Sequence, residues 1–153
     1  IHNISLPPAQ FATGKVQEFF QNRLDVTEHP YFEGIADLRV SAHFLIERDG
    51  TVTQFVSCLE RAWHAGVSSF EGRETCNDFS VGIELEGTDD LPFTDAQYDA
   101  LTALTRQLQS TFTAITAQRI CGHSDIAPGR KTDPGPAFDW ARYRAALEKE
   151  ERQ

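Results

Sequence analysis

The sequence predicts a single α/β domain in which helices flank a central mixed β-sheet. Three observations predict this fold: a hairpin pattern near the middle of the chain, a strictly alternating strand after it, and a helix of about five turns after that strand. The chain has 153 residues, of which 40% are hydrophobic, and this suits one core better than two. We therefore expect one domain spanning residues 1–153.

The first elements of the chain are short. Residues 1–4 have the pattern of a strand, which ends before Leu6-Pro7-Pro8 because proline donates no backbone hydrogen bond. From Thr13, apolar residues recur at helical spacing as far as Leu24, before a break at His29-Pro30. The sequence predicts a strand followed by an amphipathic helix.

Two strand signals occupy the centre of the chain. Residues 40–57 alternate in polarity on both sides of Asp49-Gly50, which is typical of a β-hairpin. Residues 79–86 alternate strictly, so that Glu84 and Glu86 share the face opposite the apolar one. The segment between these signals, residues 60–78, has no period and is interpreted as a functional loop.

Helical and strand signals follow in the last third. Thr94 and Gln97 form a capping pattern at the start of an apolar stripe that continues to Phe112. Residues 120–123 look like a brief strand, and residues 124–136 look like a loop. Asp139 can cap a last helix.

Charge and cysteine usage exclude several classes of function. With 14 basic against 23 acidic residues the net charge is −9, which argues against a nucleic-acid partner. No apolar run approaches the roughly 18 residues of a membrane-spanning helix, so no membrane partner is expected. Three cysteines without a C-x-x-C pair argue against a disulfide framework and favour the cytoplasm.

Histidines offer a metal site, because a catalytic zinc needs only three protein ligands and one open position. Spacing alone does not decide which three residues, among the five histidines and the carboxylates, would be the ligands. His123 stands out because Asp133 follows ten residues later, beside two prolines that restrict its backbone. A hydrogen-bonded structural role is the alternative for each histidine and is favoured for His29, His43 and His64, although His64 lies in a loop where it could contact a ligand instead of a metal.

Four other residues have both a chemical and an ordinary interpretation. Glu84 could carry a proton if its face of the sheet is enclosed, or could be solvated if that face is open. Glu86 is expected to face solvent or form hydrogen bonds. Lys131 could be a surface loop charge, and Trp63 could be a core aromatic or a stacking platform for a sugar or peptide.

Taken together, these segments resemble a known family over residues 1 to about 144. The segments that carry the resemblance are Ile1 to Pro8, Val40 to Ile46, Arg61 to Gly66, Gly82 to Thr88, and Gly122-His123 with Lys131 to Gly135. The chain is similar to the zinc-dependent N-acetylmuramoyl-L-alanine amidases, and among them to the type that cleaves anhydro-muropeptides during cell-wall recycling. The resemblance also implies the α/β fold with a central sheet that these enzymes share with peptidoglycan recognition proteins.

The resemblance implies a role for each matched residue. Zn²⁺ would be held by His2, His123 and Asp133. Glu84 would be the catalytic acid and base, and Lys131 the cation beside the oxyanion. The substrate-binding residues implied by position, with His64 added from the loop interpretation, are Asn3, Arg39, Trp63 and His64.

The implied function is zinc-dependent hydrolysis of the amide between N-acetylmuramic acid and L-alanine in a small anhydro-muropeptide, by a cytoplasmic monomer. Family members have a stretch upstream of His2, so we expect the N-terminal part of the domain to be missing from this sequence. Thr75 departs from the basic residue found there in some members. The alternatives are a muropeptide recognition module without catalysis and an amidase that remodels polymeric peptidoglycan.

Overall fold

Four strands form the central sheet of the computed structural model, which describes residues 1–149; residues 150–153 of the predicted domain lie outside the described residues. The strands, in their order across the sheet, are β1 (His2–Ile4), β6 (Ile83–Glu86), β2 (Phe44–Ile46) and β3 (Val52–Gln54). β6 is parallel to both of its neighbours and β2 is antiparallel to β3. The predicted mixed sheet is therefore confirmed.

Helices cover both faces of this sheet. They are α1 (Lys15–Phe20), α2 (Pro30–Glu33), α3 (Asp95–Thr111), α4 (His123–Ile126) and α5 (Trp140–Glu148). Leu45 packs with apolar residues of α1 and α2 on one face, whereas Phe44 and Ile46 pack with those of α3 and α5 on the other. Because both faces are covered, all three residues of β2 are buried.

The predicted helix caps are confirmed. Thr94 accepts a hydrogen bond from the Gln97 backbone nitrogen at 3.1 Å, and Gln97 Oε1 accepts one from the Thr94 nitrogen at 3.1 Å. Asp139 accepts a hydrogen bond from the Arg142 backbone nitrogen at 2.9 Å. These bonds satisfy backbone donors that have no partner within the first helical turn.

Four predictions for the elements differ from the structure. Residues 120–123 do not form a strand, because His123 is the first residue of α4, and this helix also shortens the predicted loop 124–136. The segment 60–78 contains a small hairpin of β4 (Ser69–Phe70) and β5 (Arg73–Glu74), and then a 3₁₀ turn. The central strands are also shorter than their alternating patterns.

The structure bears on two sequence predictions, the absence of a disulfide framework and the absence of a membrane-spanning helix. Cys58, Cys76 and Cys121 are unpaired, in agreement with the absence of a disulfide framework. Within residues 1–149, no helix combines the length and apolar character needed to cross a bilayer.

Candidate metal and catalytic site

Three side chains from distant parts of the chain meet at one end of the sheet. His2 lies on β1, His123 begins α4, and Asp133 lies in the loop after α4. His2 Nδ1 is 3.0 Å from His123 Nδ1 and 3.0 Å from Asp133 Oδ2, and His123 Nδ1 is 3.2 Å from Asp133 Oδ1. Ligands of a tetrahedral zinc, each ~2.0–2.2 Å from the ion, are separated by roughly 3.3 Å. The spacing and the donor chemistry therefore fit zinc.

Hydrogen bonds assign the tautomer of His2. The Ser80 hydroxyl donates its proton to the Cys76 carbonyl at 2.5 Å. Ser80 Oγ can therefore only accept in its contact with His64, so His64 Nε2 donates to it at 3.1 Å. His64 Nδ1 then accepts the Nε2 proton of His2 at 3.0 Å. The free lone pair of His2 is consequently on Nδ1, the atom that faces the other two donors.

His123 is oriented in the same way by a backbone carbonyl. Its Nε2 donates to the Ala65 oxygen at 2.9 Å, which leaves the lone pair on Nδ1. Arg130 Nη2 donates to the same oxygen at 2.6 Å. Asn77 Oδ1 accepts hydrogen bonds from the backbone nitrogens of His64 and Ala65 at 3.1 and 2.8 Å, and so fixes the segment that supports both rings.

Glu84 lies beside the three donors because of strand register. It is the Cα partner of His2 in the parallel pair of β1 and β6, so the two side chains occupy the same face. Its Oε1 is 3.9 Å from His2 Nδ1, and its Oε2 is buried without a hydrogen-bond partner among residues 1–149. A buried carboxylate oxygen without a partner is costly for stability and is typical of a group kept for chemistry.

Glu86, two residues along the same strand, provides a contrast. Its carboxylate accepts hydrogen bonds from the backbone nitrogens of Ala12 and Arg48 at 3.0 and 3.2 Å. The expected hydrogen-bonding role of Glu86 is thus confirmed, and the expected alternative of a solvent-facing side chain is wrong, since only 4% of the residue is exposed. The two carboxylates share a face but differ in their environments.

The electrostatics of the cluster follow from burial. Desolvation raises the pKa of Glu84 well above its ordinary value, the charge of Asp133 raises it further, and Lys131 acts in the opposite direction. Desolvation also lowers the pKa of His2 to about 4, so this ring is neutral and able to bind a metal near pH 7. Burial tends to raise the pKa of Asp133, but its contacts with the His123 and His2 rings outweigh burial and hold that pKa below its usual range.

Lys131 is the fifth residue implied for the chemistry. It lies two positions before Asp133 on the loop after α4, and its side chain is exposed. Its charge lowers the pKa of Glu84, but by less than burial and the charge of Asp133 raise it. An exposed cation therefore lies within electrostatic range of the buried cluster.

Two of the four residues expected to bind substrate are exposed. The Trp63 ring is 55% exposed, and the Arg61 guanidinium lies 4.1 Å from its centroid. Trp63 borders a depression of about 700 Å³ that Val67 and Arg130 also line. Arg39 lies on the loop before β2 and donates to the carbonyls of Ala36 and Leu38, both at 3.2 Å.

The other two are engaged within the protein. Asn3 follows His2 on β1 and therefore points to the opposite face, where its Nδ2 donates to Asp89 Oδ1 at 2.7 Å and to the Pro134 oxygen at 3.0 Å. Both ring nitrogens of His64 are bonded to His2 and Ser80. Any substrate contact of these side chains has to use other atoms.

Sequence reasoning missed the residues that support the cluster. These are Asn77, Ser80, Asp89 and Arg130. Each is polar and lies in a loop or, for Asn77, in a short 3₁₀ turn, and nothing in its local sequence separates it from an ordinary loop residue. His29 and His43 have the structural roles predicted for them. His29 Nδ1 caps α2 by accepting a hydrogen bond from the Tyr31 nitrogen at 3.1 Å, and His43 Nε2 is 2.8 Å from the Glu60 oxygen.

Comparison with known sequences points to one family. The sequence profile of the family described as N-acetylmuramoyl-L-alanine amidase matches residues 13–136. A Haemophilus influenzae protein named 1,6-anhydro-N-acetylmuramyl-L-alanine amidase AmpD is 58% identical over 147 residues, which are 96% of this chain and 80% of that protein. A protein of the same name from Escherichia coli K12 is 58% identical over 150 residues, with coverages of 98% and 81%.

Solved structures give the same result. The crystal structure of a selenomethionine derivative of AmpD has a TM-score of 0.93 and 60% identity, and the match covers 95% of this chain and 81% of that one. E. coli AmiD, solved in complex with the substrate anhydro-N-acetylmuramic acid-L-Ala-D-γ-Glu-L-Lys, has a TM-score of 0.67 and 33% identity, with coverages of 76% and 51%.

Proposed function

Because the chain belongs to the N-acetylmuramoyl-L-alanine amidase family, we propose that it is a zinc-dependent hydrolase of anhydro-muropeptides in peptidoglycan recycling. The bond cleaved is the amide between the lactyl group of anhydro-N-acetylmuramic acid and L-alanine. The observation that carries the proposal is the convergence of His2, His123 and Asp133 beside the unpartnered carboxylate of Glu84. The names of the AmpD relatives and the bound substrate of AmiD support this choice of bond.

The three donors suit a hydrolytic rather than a purely structural zinc. Two histidines and one carboxylate leave a fourth position open, whereas structural sites are closed by four protein ligands. Zinc held there would supply Lewis-acid chemistry, because it polarises the scissile carbonyl and lowers the pKa of the attacking water.

Glu84 carries the proton in this mechanism. The ionised carboxylate takes a proton from the attacking water, and the protonated acid then donates it to the leaving nitrogen of L-alanine as the C–N bond breaks. Burial raises the pKa of Glu84, which brings its proton affinity closer to that of a general base working near neutral pH. The lack of a hydrogen-bond partner for Oε2 within residues 1–149 leaves one oxygen available for this transfer.

Lys131 stabilises the charge that develops on the carbonyl oxygen during attack. A flexible ammonium on the open side of the site can approach this oxygen in the transition state. No side-chain nucleophile is required. Burial raises the pKa of the Cys58 and Cys121 thiols, so neither is activated as a thiolate.

The substrate is proposed to lie across the exposed side of the cluster. The half-exposed ring of Trp63 can stack on the sugar or the peptide, and Arg39 can pair with a carboxylate of the stem peptide. Asn3 and His64 were expected to contact the substrate as well, and those contacts stay predictions. The cytoplasmic location and the monomeric state also stay predictions.

One assay tests class, substrate and metal together. Purified protein is incubated with anhydro-muramoyl tripeptide or with intact peptidoglycan, each with and without a chelator, and released peptide is measured. Chelator-sensitive release from the small substrate, with little from the polymer, is the expected result. Preferential cleavage of the polymer would indicate a wall-remodelling amidase, and binding without cleavage by zinc-loaded protein would indicate a recognition module.

A further inference from the structure

We infer that Asp89 is a positioning residue of the metal site: its carboxylate ties the strand that carries His2 to the loop that carries Asp133. This inference rests on the proposed zinc site but concerns a residue that neither touches the three donors nor was predicted from the sequence. Asp89 lies three residues after β6, the strand that carries Glu84. It is therefore placed where the three segments of the site meet.

The contacts of Asp89 join the immediate neighbours of two metal ligands. Its Oδ1 accepts a hydrogen bond from Nδ2 of Asn3, the residue after His2, at 2.7 Å. Its Oδ2 accepts a hydrogen bond from Oγ1 of Thr132, the residue before Asp133, at 2.5 Å. One carboxylate thus bridges two chain segments that are about 130 positions apart in the sequence.

Backbone contacts reinforce this bridge. The Asp89 carbonyl accepts a hydrogen bond from the Ala137 nitrogen at 2.9 Å, and Asn3 Nδ2 also donates to the Pro134 oxygen at 3.0 Å. At Gly135, which has a φ of +81°, an added Cβ would lie 2.4 Å from the Asp89 Cα. The loop after Asp133 therefore lies directly against the backbone of Asp89.

A bridge at this point matters because the ligands differ in rigidity. His2 lies on a strand hydrogen-bonded in the sheet, whereas Asp133 lies on a loop with an exposed preceding residue. Zinc affinity depends on all three donors being held at their separations before the ion arrives. Asp89 fixes the Asp133 loop relative to β1 and so sets the separation between His2 and Asp133.

The test compares zinc affinities of matched variants. Asp89→Asn replaces one acceptor oxygen by a donor and weakens the bridge, whereas Asp90→Asn removes the same charge one residue later. Asp90 is exposed and makes no hydrogen bond or ion pair with residues 1–149, so it controls for the loss of charge. Thr132→Val removes the hydrogen bond from the opposite end and leaves Asp89 in place. Zinc dissociation constants come from competition with a chromophoric chelator, and unfolding free energies of the zinc-free proteins are measured alongside.

We expect Asp89→Asn to weaken zinc binding by about 10- to 100-fold and Thr132→Val to weaken it by a smaller factor, with Asp90→Asn unchanged. The cobalt-substituted Asp89→Asn protein should also show an altered visible absorption spectrum, which a loss of stability alone would not produce. Should Asp89→Asn fail to fold, Thr132→Val decides the question. Wild-type zinc affinity and an unaltered cobalt spectrum in the folded variants would overturn the inference while leaving the proposed function intact, whereas failure of the wild-type protein to bind zinc would overturn both.

Discussion

Substitution of Glu84 by glutamine is expected to abolish most turnover while the metal stays bound. The carboxylate is 3.9 Å from His2 Nδ1, farther than the 3.0 Å that separates His2 from each of its partner donors, so Glu84 is not a ligand. Loss of a general base costs on the order of 10²- to 10⁴-fold in rate, or about 3–5 kcal/mol in activation free energy. Glutamine keeps the shape of the side chain but cannot accept and return the proton.

Glu86→Gln is the matched control, since it removes the same charge from the same face of β6. Glu86 receives hydrogen bonds from the Ala12 and Arg48 nitrogens, so this variant should lose about 1–3 kcal/mol of unfolding free energy and keep its rate per folded molecule. Glu84→Gln should show the reverse pattern. At pH 7 the raised pKa of Glu84 means that the ionised carboxylate disfavours the zinc-free fold, so a neutral glutamine should not lower stability.

The assay pairs initial rates on anhydro-muramoyl tripeptide with the zinc content of the same samples. Normal turnover by zinc-loaded Glu84→Gln protein would refute the assignment of Glu84 as the proton carrier. If the Glu84 and Glu86 variants lost the same factor in rate, the rate would depend on negative charge on this face of β6 and not on proton transfer by Glu84.

Three further predictions concern the metal site. Asp133→Ala should lower zinc occupancy because it removes one of three donors, and a fully metallated variant, measured by elemental analysis, would contradict its role as a ligand. Ser80→Ala should weaken zinc binding by up to about 10-fold, because the Nε2 proton of His64 loses its acceptor; an unchanged dissociation constant would show that His64 orients His2 without Ser80. Zinc-free protein should lose about 2 kcal/mol of unfolding free energy between pH 7 and pH 5 through His2, because its pKa is lowered from 6.5 to about 4 and only the unfolded chain takes up the proton in this window. This contribution to stability is present above pH 6.5 and lost as the pH falls toward 4. The His2→Asn variant should therefore lose less unfolding free energy between pH 7 and pH 5 than the wild-type protein. Equal losses in the two proteins, measured by denaturant titration, would exclude His2 as the titrating group.

Local signals predicted those elements whose stability is local. The cap formed by Thr94 and Gln97 joins residues only three positions apart, so it can be predicted from the local sequence alone. The register of β1 against β6 could not be predicted in this way, because the two strands are about 80 residues apart and pair only after the chain has folded. That register is what places Glu84 beside His2.

The wrong prediction at residues 120–123 has a specific cause. A short apolar run does not distinguish a strand from the segment before a helix. Here Asp125 Oδ2 accepts a hydrogen bond from the Gly122 nitrogen at 2.8 Å, and the chain turns into α4 at His123. The backbone of this segment still bonds to β1, since the His123 nitrogen donates to the Ile1 oxygen at 3.2 Å. His123 is therefore aimed at His2 by a strand-like contact on one side and a helix start on the other.

The proposed metal ligands follow from the family resemblance and not from spacing, which leaves any three histidines and carboxylates open. The structure supplies the physical reason why these three act together. His2 Nε2 and His123 Nε2 are both used as donors, to His64 and to the Ala65 carbonyl, so both free lone pairs lie on Nδ1. The two Nδ1 atoms are 3.0 Å apart, so in these tautomers two lone pairs face each other without a proton between them. Neutral donors held at this separation against an ionised Asp133 make an arrangement in which a bound cation relieves the crowding of lone pairs. If zinc is the bound cation, as proposed, its binding removes this repulsion between lone pairs and stabilises the folded chain.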